Sequence, residues 1–157
     1  MSTDMRMLSG DEVVALARRI LAVRPLLGRA APEQIMAELG WPELPGGSAF
    51  AKFCDPGLGF GEAAIGLLPD GAAKTVVVPV HSVLPRPSTP ELDDFRQDAF
   101  SVTGRALTAA FGRPYALQGG NSPRLKWRVG ESVLTAAREK LGVRVYLWRA
   151  EDLEDAE

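Results

Sequence analysis

Apolar residues recur at intervals of three and four near the start of the chain, and this spacing predicts an amphipathic helix over about 10–23. Ser9 and Glu12 have the spacing of a capping box, in which each side chain accepts a hydrogen bond from the backbone amide of the other residue. The helix ends at Arg24-Pro25, because proline disfavours α geometry in the residue before it. A second, short helix is predicted over 32–40.

The longest helix is predicted between Thr89 and Gly112. Threonine is a favoured N-cap residue, and the acidic residues that follow it suit the positive end of the helix dipole. Pro114 prevents the helix from resuming after Gly112. The apolar stripe predicted to face the core consists of Leu92, Phe95, Ala99, Val102, Ala106 and Ala110, widened by Phe100, Leu107 and Phe111.

Strands are predicted on both sides of the long helix, where β-branched residues or alternating apolar and polar residues follow one another between turns. The run 75–78 is the most β-branched in the chain and predicts a central strand, which should place Pro79 near an edge or a bulge. The predicted strands are 48–54, 62–68 and 73–83 before the helix, and 124–129, 132–138 and 143–149 after it.

The order of elements is therefore α-α-β-β-β-α-β-β-β. Because no helix separates consecutive strands within each group of three, the chain predicts an α+β fold with an antiparallel sheet, or sheets, packed against a long central helix. A length of 157 residues suits a single domain over 1–157. The segments 1–8 and 151–157 are expected to fray.

Composition narrows the classes of partner. Hydrophobic residues make up 46% of the chain, charged residues 24%, and the net charge of −2 does not favour nucleic acid or an anionic membrane surface. The single cysteine, Cys54, excludes an internal disulfide, and no apolar run approaches the roughly 20 residues that cross a bilayer. We therefore expect a cytoplasmic protein with no nucleic-acid or membrane partner.

Residues suited to catalysis or metal binding are few. One histidine, His81, and one cysteine cannot supply the ligands of a zinc site, and His81 has no accompanying nucleophile motif. Asp94 and Asp98 lie one helical turn apart beside Asp93, so a divalent cation or acid–base chemistry is conceivable. A solvated first turn that complements the helix dipole explains the same acidic patch. We predict no catalytic residue, no metal and no cofactor.

The polar face of the last three strands is the strongest candidate for binding. Arginine, tyrosine and tryptophan are enriched among the residues that dominate protein interfaces. Basic residues interleaved with aromatic ones can also bind single-stranded nucleic acid, and a plain solvated face is a further alternative. The predicted binding residues are Lys126, Arg128, Arg144, Tyr146 and Trp148, with Arg124 and Arg138 beside them.

Four segments carry a resemblance to known proteins: Gly40-Trp41, 95–100, 111–114, and the Trp127 strand with its hairpin. The chain resembles small uncharacterised α+β proteins from actinobacteria, among which are immunity proteins that occlude the active site of a toxin. The element order is also similar to that of secretion-chaperone-like domains, which bind extended segments of client proteins. Neither resemblance implies catalytic residues.

The sequence thus predicts a non-enzymatic protein-binding module, either an immunity protein or a secretion-associated chaperone. It would bind a toxin or a secreted client with a sheet face or edge, and its acidic stretches would steer a basic partner. A homodimer is compatible with this prediction. The alternatives are a small hydrolase or transferase that uses His81 or Asp94 and Asp98, and a small-ligand carrier with a pocket between the main helix and the sheet.

Overall fold

The computed structural model describes residues 5–152 as three α-helices, one short 3-10 helix and one eight-stranded sheet. The helices are α1 (Gly10–Leu21), the 3-10 helix (Arg24–Leu26), α2 (Pro32–Leu39) and α3 (Pro90–Phe111). The strands are β1 (Glu43–Leu44), β2 (Ala51–Cys54), β3 (Ala63–Leu67), β4 (Ala73–Pro79), β5 (Ala116–Gln118), β6 (Arg124–Val129), β7 (Ser132–Arg138) and β8 (Val143–Arg149).

The strands lie in the order β1-β2-β3-β4-β8-β7-β6-β5, and every neighbouring pair is antiparallel. Two four-stranded meanders therefore meet where β4 pairs with β8, and α3 connects one meander to the other. The predicted α+β fold is confirmed, as is the central position of β4. The short edge strands β1 and β5 were missed, because two or three residues are too few to show a period.

The predicted caps also form. Ser9 and Glu12 make both hydrogen bonds of the capping box, and the Thr89 side chain accepts from the amide of Leu92. Gly40 ends α2 in the left-handed conformation at φ 71°, a geometry that glycine adopts without steric cost.

Pro79 is the last residue of the central strand β4 and lies where the side of β4 that faces β3 is no longer paired, in agreement with a proline near an open edge. Val80 donates to the carbonyl of Val143, which makes Pro79 and Arg144 a pair without hydrogen bonds between β4 and β8. On the other side, the pairing of β3 with β4 ends at Ala64–Val77. The missing amide of Pro79 therefore costs no bond of the ladder.

The apolar stripe predicted for α3 is rotated from the one observed. Phe95, Val102 and Ala106 are only half buried, and the helix packs against two neighbours at once. It contacts α1, where Gly10 approaches Ala106, and it contacts the sheet, where a Cβ on Gly104 would come within 2.8 Å of the Leu125 side chain. The buried residues are Leu92, Arg96, Ala99, Thr103, Gly104 and Leu107.

The ends of the described chain are paired. Met7 forms a bridge with His81, and the amide of buried Leu8 donates to the carbonyl of Val80 at 2.9 Å. At the other end, the guanidinium of Arg149 holds both carboxylate oxygens of Asp152. The expected frayed tails therefore do not include Met7, Leu8 or Asp152, and their remaining parts at 1–4 and 153–157 lie outside the described residues.

Trp127, in β6, connects the C-terminal end of α3 to the sheet through a hydrogen bond. Its side chain is 1% exposed, and its indole Nε1 donates to the carbonyl of Gly112, the C-cap of α3, at 2.8 Å. This bond occupies one of the carbonyls that a helix end leaves without an intrahelical donor.

Replacing Trp127 with phenylalanine keeps an aromatic ring but removes this donor, along with part of the buried surface. We expect Trp127→Phe to lower the free energy of unfolding by at least about 1 kcal/mol, measured by urea denaturation. Trp148→Phe is the matched control, because its buried Nε1 has no hydrogen-bond partner among the described residues. Equal losses in the two variants would show that the bond to Gly112 contributes nothing.

Candidate functional site

Aromatic rings and cations are layered on the face of the sheet opposite the helices. The rings of Tyr146 and Trp148 stack with centroids 6.1 Å apart and planes inclined by 13°. The Lys74 ammonium lies 5.4 Å from the Trp148 ring, and the Arg124 guanidinium lies 5.8 Å from the Tyr146 ring. Such cation–π contacts stabilise both partners. We call this surface the outer face and define it by Lys74, Arg124, Lys126, Arg128, Arg144, Tyr146 and Trp148.

Lys74 reaches the outer face from the other half of the sheet. The register between β3 and β4 shifts from Gly66–Thr75 to Leu67–Ala73, which leaves Lys74 as an extra residue in β4. A bulge of this kind redirects a side chain to the other face of the strand. No pattern in the chain indicates this bulge, because the irregularity depends on how β3 and β4 align.

Part of the outer face is buried. Lys126 pairs in register with Thr135, which pairs in turn with Tyr146; Lys126 is 2% exposed and Thr135 is fully buried. Strand alternation predicts a solvent-facing Lys126, and the structure corrects this. Burial lowers the pKa of the Lys126 ammonium, and the nearby charge of Arg124 lowers it further.

Two polar atoms at this face have no hydrogen-bond partner within the described part of the chain. They are the hydroxyl oxygen of Thr135 and the indole nitrogen of Trp148, and both are buried. Buried polar atoms are usually satisfied, because an unmade hydrogen bond is costly. Both atoms lie within the sheet layer and are inaccessible from outside in this structure.

Glu139, in the turn between β7 and β8, organises one end of the outer face. The Tyr146 hydroxyl donates to its carboxylate at 2.6 Å, and Arg124 and Arg144 approach the same carboxylate at 3.4 and 3.9 Å. Burial, followed by the hydrogen bond and charge of Glu139, raises the pKa of Tyr146 to about 12. Tyr146 is therefore a neutral hydrogen-bond donor at physiological pH.

The structure brings all five predicted binding residues to this one face. Arg138 does not join them, because it pairs in register with Val143 on the helix side of the sheet. Sequence reasoning also missed Lys74, Glu139 and Tyr115, whose ring lies 5.3 Å from the Arg128 guanidinium. Tyr115 precedes a strand too short to give a pattern.

The alternative acidic patch does not form a converging site. Asp93 binds the guanidinium of Arg96 and accepts from the Ser88 hydroxyl at 2.9 Å, and these two hydrogen bonds lower its pKa. Asp94 and Asp98 are exposed on α3. Within residues 5–152, no group of three His, Cys, Asp or Glu side chains is placed to hold a metal ion.

His81 is engaged through both ring nitrogens. Its Nε2 accepts from the amide of Val143 at 2.9 Å, so Nδ1 carries the proton and donates to the carbonyl of Ser82 at 2.7 Å. The ring also meets Phe95 edge-on at 5.5 Å. This neutral form joins the end of β4 to the start of β8 and leaves no free ring nitrogen for the role of base that one form of the hydrolase or transferase alternative gives to His81.

An open groove lies between α3 and the sheet, where the small-ligand alternative would place a pocket. Its volume is about 770 Å³, and its walls combine polar and apolar groups. The groove is lined by Gln97, Asp98, Phe100, Ser101, Gly104, Arg105, Thr108, Ala109, Pro114 and Leu125.

The neutral state of His81 should make stability depend on pH. Burial lowers the pKa of His81 below its ordinary 6.5, and the charges of Arg96 and Arg144 act in the same direction. The unfolded chain therefore binds a proton that the folded chain does not, and the free energy of unfolding should fall as the pH drops below about 6.5.

Urea denaturation at pH 7.5, 6.5 and 5.5 measures this slope. We expect the free energy of unfolding to change less with pH in His81→Gln, whose side chain can also donate and accept hydrogen bonds but does not titrate. The chain has no second histidine, so no other imidazole contributes to the difference. The same slope in both proteins would mean that His81 titrates alike in the folded and unfolded states.

Comparisons with known proteins bear on the fold and on the family. The crystal structure of a DUF4309 family protein, YjgB from Bacillus subtilis, is similar over 90% of this chain and 97% of its own, with a TM-score of 0.56 and 14% identity, which supports the fold alone. No curated protein matches the chain. No helix within residues 5–152 is long and apolar enough to cross a membrane. A family model matches residues 11–149, and the chain therefore belongs to DUF6301, a family of unknown function.

Proposed function

We propose that this chain is a non-enzymatic protein-binding module that holds its partner on the outer face. The observation that supports the proposal is the ordered layer in which Lys74 and Arg124 lie against the rings of the Tyr146–Trp148 stack. Stacked side chains are already ordered, so binding would immobilise few additional groups. Arginine, tyrosine and tryptophan also supply large contact areas at protein interfaces.

The charge of the outer face favours an acidic segment of the partner. It presents Lys74, Arg124, Arg128 and Arg144, of which Arg124 and Arg144 share the carboxylate of Glu139. The acidic stretches of the sequence suggest a basic partner, but the geometry supports the opposite polarity for this face. Complementary charge speeds the encounter and selects among partners.

Two biological roles fit such a face. As an immunity protein, the chain would cover the active site of a toxin; as a secretion-associated chaperone, it would hold an extended acidic segment of a client. Both roles place the encounter in the cytoplasm, in agreement with a lone and fully buried cysteine, Cys54. Either partner would be a protein, and neither role requires a cofactor.

Photocrosslinking captures the partner inside the cell, whatever its identity. A benzophenone amino acid would replace Arg128, which is exposed on the outer face, or Arg113, which is exposed at the end of α3 and serves as the control. We expect a protein adduct in the native cells from position 128 and none from position 113. An adduct between two copies of this chain would identify the partner as a second copy, in a homodimer.

Charge reversal then tests the outer face with the purified partner. Lys74 and Arg128 are suitable because each contacts a ring and neither pairs with Glu139, so the Tyr146 contact stays intact. We expect Lys74→Glu with Arg128→Glu to raise Kd by at least about tenfold at low salt. The matched control reverses two exposed arginines elsewhere, Arg29→Glu with Arg113→Glu. Equal weakening by the two double variants would refute binding at the outer face.

A further inference from the structure

A cavity of about 530 Å³ lies between the loop that follows β4, the first turns of α3, and the turn between β7 and β8. Its volume falls within the range of pockets that hold small molecules in proteins. The lining residues are Leu84, Pro85, Arg86, Pro87, Ser88, Arg96, Lys140 and Leu141. Three of them are cationic, and Arg96 is paired with Asp93, so the two exposed cations Arg86 and Lys140 give the cavity a net positive charge that favours an anion.

Arg96 is the buried cation of the cavity. It is 7% exposed, and its Nη2 binds both Ser88 and Asp93. These two bonds fix the position of the guanidinium. A guanidinium has five N–H donors, and those on Nη1 and Nε have no partner among the described residues. Both N–H groups of Nη2 are engaged, so Arg96 can offer an anion only single hydrogen bonds, from Nε or from Nη1.

Arg86 and Lys140 are exposed cations on the same cavity. They come from separate parts of the chain, since Arg86 precedes α3 and Lys140 lies in the tight turn where Glu139 and Gly142 exchange backbone hydrogen bonds. The fold therefore places two exposed cations around one space, beside Arg96 and its Asp93 counterion. A bound anion would offset the repulsion between Arg86 and Lys140.

The remaining wall of the cavity is apolar. It consists of two prolines and the side chains of Leu84 and Leu141, and Leu141 is 50% exposed. A second cavity of about 330 Å³ shares Leu84, Arg86 and Leu141 with the first. This second cavity is lined by polar as well as apolar residues, among them Glu62 and Arg144, and the two cavities together have room for more than a bare inorganic ion.

We propose that this cavity binds a small organic acid, whose anionic group is held by Arg86, Arg96 and Lys140 and whose apolar body lies against Leu84 and Leu141. The proposal does not depend on the function proposed for the outer face. The two sites share none of their defining residues, so each can fail while the other stands.

Three probes at neutral pH separate the contributions of charge and apolar body: 2-naphthoate, the uncharged 2-naphthalenemethanol, and inorganic phosphate. Titrations of the ¹⁵N-labelled chain followed by NMR should show 2-naphthoate shifting the amides of Leu84, Arg86, Lys140 and Leu141. We expect 2-naphthoate to bind at least about tenfold more tightly than either other probe, because only this probe has both an anion and an apolar body. An equal affinity for the alcohol or for phosphate overturns the proposal, as does the absence of shifts at these amides.

The double variant Arg86→Gln with Lys140→Gln removes the two exposed cations and leaves the buried pair of Arg96 and Asp93 intact. We expect it to weaken 2-naphthoate binding by at least about tenfold while the amide spectrum stays folded. The control, Arg29→Gln with Arg113→Gln, removes the same charge away from the cavity and should leave the affinity unchanged. Equal weakening in the two variants would indicate general electrostatic attraction and refute the site.

Discussion

The fold depends on the antiparallel pairing of β4 with β8, which joins the two halves of the sheet through five residue pairs from Thr75–Trp148 to Pro79–Arg144. A hydrogen bond of 2.6 Å from the Thr75 hydroxyl to the carbonyl of Leu147 reinforces the register. Because successive side chains of a strand point to opposite sides of the sheet, this register determines both which residues face the core and which lie on the outer face. A slip of one residue would exchange the buried Leu147 with Trp148, and so destroy the core and the outer face together.

The turn between β7 and β8 links both proposed binding sites to this pairing. Glu139 holds the Tyr146 hydroxyl on the outer face, and Lys140 and Leu141 line the anion cavity. Gly142 keeps the turn close to the rest of the fold, because a Cβ there would lie 2.7 Å from the ring of His81. Three consecutive residues of this turn, 139–141, thus contribute to the outer face and to the anion cavity. The contact between Gly142 and His81 sets the position of the turn relative to β4.

Local signals in the sequence were sufficient for most of the elements. The Ser9 and Thr89 caps and the alternation in β6 and β8 act within a few residues, so the helices and the later strands could be predicted. The burial of Lys126 could not be predicted, since it depends on which strands flank β6 in the folded sheet. The bulge at Lys74 and the rotated stripe of α3 likewise depend on contacts between segments distant in sequence.

The large sheet ends on strands of minimal length, with β1 spanning two residues and β5 three. A growing aggregate needs a long row of unpaired backbone groups as its template, and neither margin of this sheet provides one. The strands just inside, β2 and β6, are longer and would be exposed if the margins detached. The short strands β1 and β5 therefore protect the edges of β2 and β6. The resistance of the folded chain to edge-to-edge association depends on this pairing.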